Sequence, residues 1–330
     1  MDGLNLHKLR MSKNKDINIL IETGDKSLSS GDFQRAIDAF SNVLKINDND
    51  SAMHFKLGVS YYYFKNFESA ITHLNKSLEL NPNMKSSSPS MYNDLSSVLT
   101  HCYKYTLDHG RAIKYSNNIH LSKEIDRAGM HFQKKNIETN DVENFIGCWD
   151  IEDYNLIDSI VEFFENNTSL HRQGSTYGGI NIEEKNSVDL CIQIHHLKQE
   201  PVKFIHKYLD YINLLLNDYI KNYDILSDFN LSMGTFNIQK YSKGGHFRNI
   251  HSERTDLRNM DRVFAWMTYL NDVDDGGATY FSHYDLRVKP KKGRTLIWPA
   301  EWTHAHCGEI VNSNEKYIIT GWIDFTFPKK

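Results

Sequence analysis

Cysteine is scarce: four residues in 330, at Cys102, Cys148, Cys191 and Cys307, with no Cys-x-x-Cys pair among them. That excludes a disulfide framework and a thiolate zinc site, and it is the usage of a reducing compartment. Long apolar runs are missing as well. No stretch approaches the roughly 20 apolar residues that a membrane span needs. The first residues carry Lys8, Arg10, Lys13 and Lys15 with no apolar run behind them, so no signal peptide is expected. Charge of one sign is not in excess either. A net charge of −4 gives no bulk-charge basis for binding nucleic acid or a membrane surface. These absences lead us to expect a cytoplasmic protein with neither partner.

What remains is ordinary globular composition, with 40% hydrophobic and 24% charged residues, and a length comfortable for two domains. The first half repeats itself. Gly24 recurs as Gly58, Phe33 as Phe67, Ala36 as Ala70, Ile37 as Ile71, Phe40 as Leu74 and Leu44 as Leu78, always 34 residues on. Phe33, Ala36, Ile37, Phe40 and Leu44 follow the spacing of one helix face. The small residues stand where two helices must approach closely, and Pro82 can stop the last helix. A 34-residue unit of two antiparallel helices is the tetratricopeptide pattern, which residues 15–82 resemble. Residues 83–90 have the composition of a loop insertion. A degenerate third unit is expected after it, with Leu95, Leu99 and Tyr103 on one helix and Ala112, Ile113 and Tyr115 on the next. Such solenoids both stabilise and bind.

Composition changes near residue 130, and all five tryptophans lie beyond it. The domain reading is a flexible start at 1–14, repeats at 15–128, a linker at 129–142 and a second domain at 143–330. Helices are expected at 153–165 and 201–222. Short β-type runs follow at 264–270, 294–298 and 316–323, bounded by the turn clusters Asp274–Gly277 and Pro290–Gly293. Helices followed by many short strands give an α+β class: helical repeats, then a double-stranded β-helix, or jelly roll, with supporting helices.

Three places in the second half carry chemistry. In His251-Ser252-Glu253, residues i and i+2 of an extended chain point to one side, so an imidazole and a carboxylate can chelate one metal. In Thr303-His304-Ala305-His306-Cys307-Gly308, either histidine would complete a two-His, one-carboxylate triad, the open-sided set suited to iron(II). On the run from Lys316 to Trp322, period 2 puts Lys316, Ile318, Thr320 and Trp322 on one face. An inward lysine needs an anionic partner. The competing readings are an exposed polar loop at 251–253 and an edge strand at 316. His195, His196 and His246 read as surface or supporting groups, Lys289, Lys291, Lys292 and Arg294 as a solvated turn, and Cys307 as a buried inert thiol.

Residues 238–325 resemble the catalytic core of the prolyl 4-hydroxylase-like iron(II)/2-oxoglutarate dioxygenases. The matching pieces, in order, are Tyr241-x-x-Gly244-Gly245, the motif at His251, Arg262, Tyr269-Leu270-Asn271, and Gly276-Gly277-Ala278-Thr279-x-Phe281. They continue with Pro290-x-x-Gly293-Arg294, His306-Cys307-Gly308, and Lys316-Tyr317 through Gly321-Trp322. A looser match, Lys185-x-Ser187-x-Asp189, lies upstream. The resemblance implies His306 rather than His304, because a small residue stands two positions on and a basic residue ten positions on. It implies iron(II) at His251, Glu253 and His306, and 2-oxoglutarate anchored by Lys316 and lined by Tyr241, Thr320 and Trp322, with ascorbate as reductant. The implied reaction hydroxylates a C–H bond, with a prolyl residue of a peptide or protein as leading substrate, held by the repeats. Alternatives are a free amino acid or other small molecule, or a non-catalytic scaffold with a decayed oxygenase. The chain departs from the family pattern twice: Glu253 stands where aspartate is usual, and the stretch from Gly245 to His251 is one residue longer. A tight turn at Asn312–Asn314 is expected to bring His306 and Lys316 onto neighbouring strands.

Overall fold

The computed structural model describes residues 3–106, 111, 115, 119–121, 129–137, 144–176, 179–193, 197, 204–257 and 259–326. Ala112, Ile113, His195 and His196 lie outside them. The chain divides into two compact units, Met1–Asn117 and Asn118–Lys330.

The first unit is helical: α1 (Gly3–Ser30), α2 (Phe33–Ile46), α3 (Ser51–Tyr63), α4 (Phe67–Leu80), α5 (Met84–Ser87) and α6 (Pro89–Tyr105). Short polar side chains start α2, α3 and α4. Asp32, Asp50 and Asn66 accept hydrogen bonds from the backbone N–H groups of Arg35, Met53 and Ser69, satisfying donors that a helix start leaves unpaired. The repeat is one of packing as well as sequence. A Cβ added at Gly24 would lie 2.4 Å from Phe40 Cε1, and one at Gly58 2.6 Å from Leu74 Cγ. Each glycine therefore admits the apolar residue that recurs at the same offset. Ala36 and Ala70 are fully buried. The insertion expected as loop at 83–90 instead holds α5, because Met84 is buried against Leu74, Leu95 and Leu99.

The second unit is a jelly roll of two antiparallel sheets. The larger runs β2 (Phe132–Lys135), β3 (Gly147–Ile151), β12 (Arg294–Pro299), β9 (Arg262–Tyr269), β14 (Lys316–Phe325), β7 (Leu231–Tyr241), β6 (Val188–Ile192) and β4 (Arg172–Gln173), with β1 (Ile119–His120) also paired to β7. The smaller runs β11 (Leu286–Val288), β10 (Thr279–Phe281), β13 (His306–Gly308), β8 (His246–His251) and β5 (Lys185–Asn186). Part of the segment expected as a linker is thus structured: β2 pairs with β3. The unit opens ahead of residue 129 because β1 already joins β7.

Alternation along the strands separates two cores. Phe264, Trp266, Ile319 and Ile323 face the helices α7 (Tyr154–Asn166) and α8 (Ile205–Ile220), packing with Ile157, Tyr208 and Ile212. Ala265, Met267, Leu296, Trp298 and Ile318 face Phe281 and Val288 between the sheets. The polar face of β14 therefore opens into the sandwich. The basic turn after β11 is tied down rather than merely solvated. Lys291 and Arg294 pair with the buried Asp150, and Lys292 pairs with Asp158.

Candidate metal and oxyanion site

β8 ends at His251 and β13 begins at His306, and the antiparallel register sets these two residues opposite each other. Directly opposed residues share a face, and the ring centroids are 4.6 Å apart. A register shift in β8 lies opposite His306–Gly308, with Phe247 paired to Gly308 and His251 to His306. Glu253 follows two residues on. One ligand atom from each of His251, Glu253 and His306 lies within 4.8 Å of the others.

The orientation of each group has a cause. His251 Nδ1 lies 2.8 Å from the carbonyl oxygen of Asn249, and His306 Nδ1 lies 2.9 Å from that of His304. A carbonyl accepts only, so Nδ1 of each ring carries the proton and Nε2 presents a lone pair. Those Nε2 atoms lie 3.9 and 3.4 Å from Glu253 Oε1. Burial, with His306 close by, pulls His251 down to about 4, so its ring is neutral at pH 7 and ready to donate electrons. Burial opposes ionisation of Glu253, yet its close polar neighbours, the Arg262 guanidinium among them, hold its carboxyl well below the usual range. Its second oxygen, Oε2, accepts from the Trp322 indole N–H at 2.7 Å.

Lys316 lies across the sandwich on β14, 2% exposed. Its ammonium donates to the carbonyl oxygen of Gly277 at 2.9 Å and sits 4.5 Å from the Tyr241 ring centroid. No carboxylate lies within 4 Å of it among the described residues. Burial pulls it down to about 8. A buried ammonium so thinly partnered is costly unless an anion joins it. At the metal end, Trp298 lines the same cavity, its ring 5.0 Å from His306 and its indole nitrogen buried without an acceptor. The cavity, about 630 Å³, runs from the His–Glu–His cluster to Lys316, ample for a small dicarboxylate beside part of a larger ligand. Two imidazoles and one carboxylate fit iron(II), and the buried ammonium fits an oxyanion.

Several expectations meet a different geometry. His306 and Lys316 are on opposite sheets, not neighbouring strands, because residues 309–315 cross the sandwich instead of closing a hairpin. The ammonium still reaches β13: a Cβ added at Gly308 would lie 3.7 Å from Lys316 Nζ. His304 and His306 do not share one side of an extended segment, because Trp302–His304 form a 3₁₀ turn. The His304 ring is buried, with Nε2 2.9 Å from the carbonyl oxygen of Asn144. Thr320 donates its hydroxyl to the carbonyl oxygen of Trp266, so that proton is committed. Tyr241 donates to Gln239 Oε1. Of the two readings of His246, surface or supporting group, burial removes the first.

Phe247, whose ring stacks on His251 at 4.0 Å, and Trp298, 5.0 Å from His306, join the site without a local sequence signal. The upstream match Lys185-x-Ser187-x-Asp189 carries no role in the sequence. Buried Lys185 and Ser187 meet the half-buried Asp189, Lys185 Nζ being 2.5 Å and Ser187 Oγ 2.7 Å from its carboxylate. The pairing was signalled only by the i, i+2, i+4 polar spacing.

The family model described as "2OG-Fe(II) oxygenase superfamily" matches residues 236–324. Residues 236–324 are a 2OG-Fe(II) oxygenase domain. It covers the strands from β7 to β14, including the whole His–Glu–His cluster and Lys316. Ahead of this oxygenase domain, residues 52–84 match a tetratricopeptide repeat model. Among curated relatives, "Probable prolyl 4-hydroxylase 9" of Arabidopsis thaliana is 28% identical over 115 residues, 27% of this chain and 40% of that protein. Prolyl 4-hydroxylase subunit alpha-1 of Homo sapiens is 28% identical over 103 residues, 26% of this chain and 19% of that protein. A subunit of the anaphase-promoting complex, CDC16 of Saccharomyces cerevisiae, is 29% identical over 126 residues, 38% of this chain and 14% of that protein. The chain thus spans less than half the length of these relatives. Among solved structures, the viral collagen prolyl hydroxylase of Paramecium Bursaria Chlorella virus-1 matches at 16% identity and a TM-score of 0.40, over 61% of this chain and 98% of that one.

Proposed function

We propose that the second unit is an iron(II)- and 2-oxoglutarate-dependent dioxygenase that hydroxylates a C–H bond, a prolyl residue of a peptide or protein being the leading substrate. The observation that carries this reading is the convergence of His251 Nε2, Glu253 Oε1 and His306 Nε2 in a cavity whose other end is the buried ammonium of Lys316. His251, Glu253 and His306 would hold the metal, and Lys316 the far carboxylate of 2-oxoglutarate, with Tyr241 beneath the ammonium. Iron(II) and 2-oxoglutarate, when bound, supply oxygen-atom insertion from dioxygen coupled to loss of CO2 and formation of succinate, with ascorbate keeping the metal reduced. The chain's own contributions are orientation and electrostatics. Asn249 and His304 fix the proton positions of both imidazoles through their carbonyls. Lys316 is buried on the face of β14, where an ion pair to its ammonium is stronger than in open water. The helical repeats are suited to hold an extended peptide.

The test is turnover of 2-oxoglutarate to succinate by the purified chain with iron(II) and ascorbate, with and without proline-containing peptides, followed by mass spectrometry of the peptides. A gain of one oxygen atom on proline supports the reading. Binding of neither iron(II) nor 2-oxoglutarate would reduce the unit to a non-catalytic scaffold.

A further inference from the structure

We infer that Trp322, backed by Arg262, is a positioning residue that restricts Glu253 to presenting a single oxygen at the metal site. This rests on the reading of His251, Glu253 and His306 as metal ligands and deepens it.

Glutamate has one more rotatable bond than aspartate, and its two carboxylate oxygens are equivalent until something distinguishes them. Here something does. Oε2 accepts the Trp322 indole N–H at 2.7 Å, while Oε1 faces the Nε2 atoms of His306 and His251 at 3.4 and 3.9 Å. Arg262 holds the arrangement from behind. Its guanidinium lies 3.7 Å from the Trp322 ring centroid. One of its nitrogens donates to the backbone carbonyl of Glu253 at 2.9 Å and lies 3.6 Å from Oε2. Arg262 and Trp322 project from adjacent strands, β9 and β14, where Trp322 pairs with Ala265 and, past a register shift, Asp324 pairs with Arg262. A carboxylate that gave both oxygens to one metal would consume an extra coordination position. With Oε2 engaged, one position is used, and a two-imidazole, one-carboxylate set keeps three sites open. The hydrogen bond also removes the torsional freedom that the extra methylene introduces. Outer partners of this kind govern how well a ligand holds its metal.

The experiment uses the full chain and manganese(II) alone, read by electron paramagnetic resonance of the free ion. Trp322→Phe keeps a ring for Arg262 to stack on and deletes the N–H. It should weaken manganese(II) binding about 10- to 100-fold. In a Glu253→Asp background the shorter carboxylate falls short of the indole, so Trp322→Phe should cost little there. An unchanged affinity in the single variant, or the same loss in both backgrounds, would overturn the clamp. A second measurement needs no tryptophan substitution and no metal. In the 15N indole spectrum of the five tryptophans, one N–H should shift upfield on Glu253→Gln as its charged acceptor is lost. Five unmoved resonances would also overturn the proposal. A wild-type chain that binds no manganese(II) but shows the indole shift would sink the metal reading and leave the Trp322–Glu253 contact standing.

Discussion

The Nδ1 atom of His306 lies 2.9 Å from the carbonyl oxygen of His304, so the main chain of the outer histidine orients the ring of the inner one. The two residues therefore make separable contributions. His306→Ala should abolish manganese(II) binding. His304→Ala keeps that carbonyl and should keep the metal. It should nonetheless lower stability by about 1–3 kcal/mol, because it empties a buried place and leaves the Asn144 carbonyl without its partner. Metal titration alongside thermal unfolding separates the effects. Loss of metal in the His304 variant alone would reverse the assignment.

Glu253→Ala removes the only anion in the cluster and should abolish both metal binding and 2-oxoglutarate turnover, since two imidazoles hold iron(II) weakly. Normal turnover would move the carboxylate ligand elsewhere, with Asp256 the next candidate.

Lys316→Met should leave the metal in place and weaken 2-oxoglutarate binding about tenfold or more, the size of a lost charge-assisted contact of about 1.5–3 kcal/mol. The pH dependence follows from burial, which lowers this lysine to about 8 in the folded chain. The unfolded chain keeps the proton up to about pH 10.4. Between these values the unfolded state binds more protons, so Lys316 makes stability rise with pH there. Anion binding runs the other way: it needs the ammonium, and affinity should fall above pH 8. Calorimetry should record proton uptake on binding in that window, and Lys316→Met should abolish it.

Gly24→Ala and Gly58→Ala should each destabilise the helical unit by about 1–3 kcal/mol, because the added methyl meets Phe40 or Leu74 inside a filled core. Denaturant unfolding of the variants checks this. Wild-type stability would mean that the helix pairs yield more readily than close packing allows.

Fragment 118–330 should bind manganese(II) as the whole chain does, because both of its cores are built from its own residues. If the repeats hold the peptide, this fragment should show a raised KM for peptide and unchanged uncoupled turnover of 2-oxoglutarate. Equal peptide kinetics would leave the repeats a different task.

Legibility followed the range over which each feature is encoded. The 34-residue repeat and the strands β9, β12 and β14 carry their period in consecutive residues and can be read directly. The two-residue strands β1, β4 and β5 have no period to read, which is why the start of the second unit went unseen. Asn312-Ser313-Asn314 is turn chemistry, but turn chemistry serves a hairpin and a crossing between sheets equally. The placement of β13 opposite β8 is decided by pairing with Phe247 and His251, far off in sequence. His304 does not share a face with His306, as an extended segment would have it, because a 3₁₀ turn ends the alternation one residue before β13. That Trp322 faces inward was legible from its strand. That its nitrogen meets Glu253 depends on the loop after β8, whose path no local pattern specifies.

The crossing of residues 309–315 from one sheet to the other has a mechanical consequence. The His–Glu–His cluster belongs to the smaller sheet and Lys316 to the larger. Under the proposed function, a metal-bound dicarboxylate would be gripped at one end by each. Such a ligand is a removable cross-tie: in its absence the layers are held at this point by side-chain packing and the Trp322–Glu253 contact, and in its presence a charged brace spans the gap. Amide exchange should then slow on ligand binding well beyond the two strands touched, in β10 and β9 as much as in β13 and β14, because bracing one point of a sandwich stiffens both of its leaves.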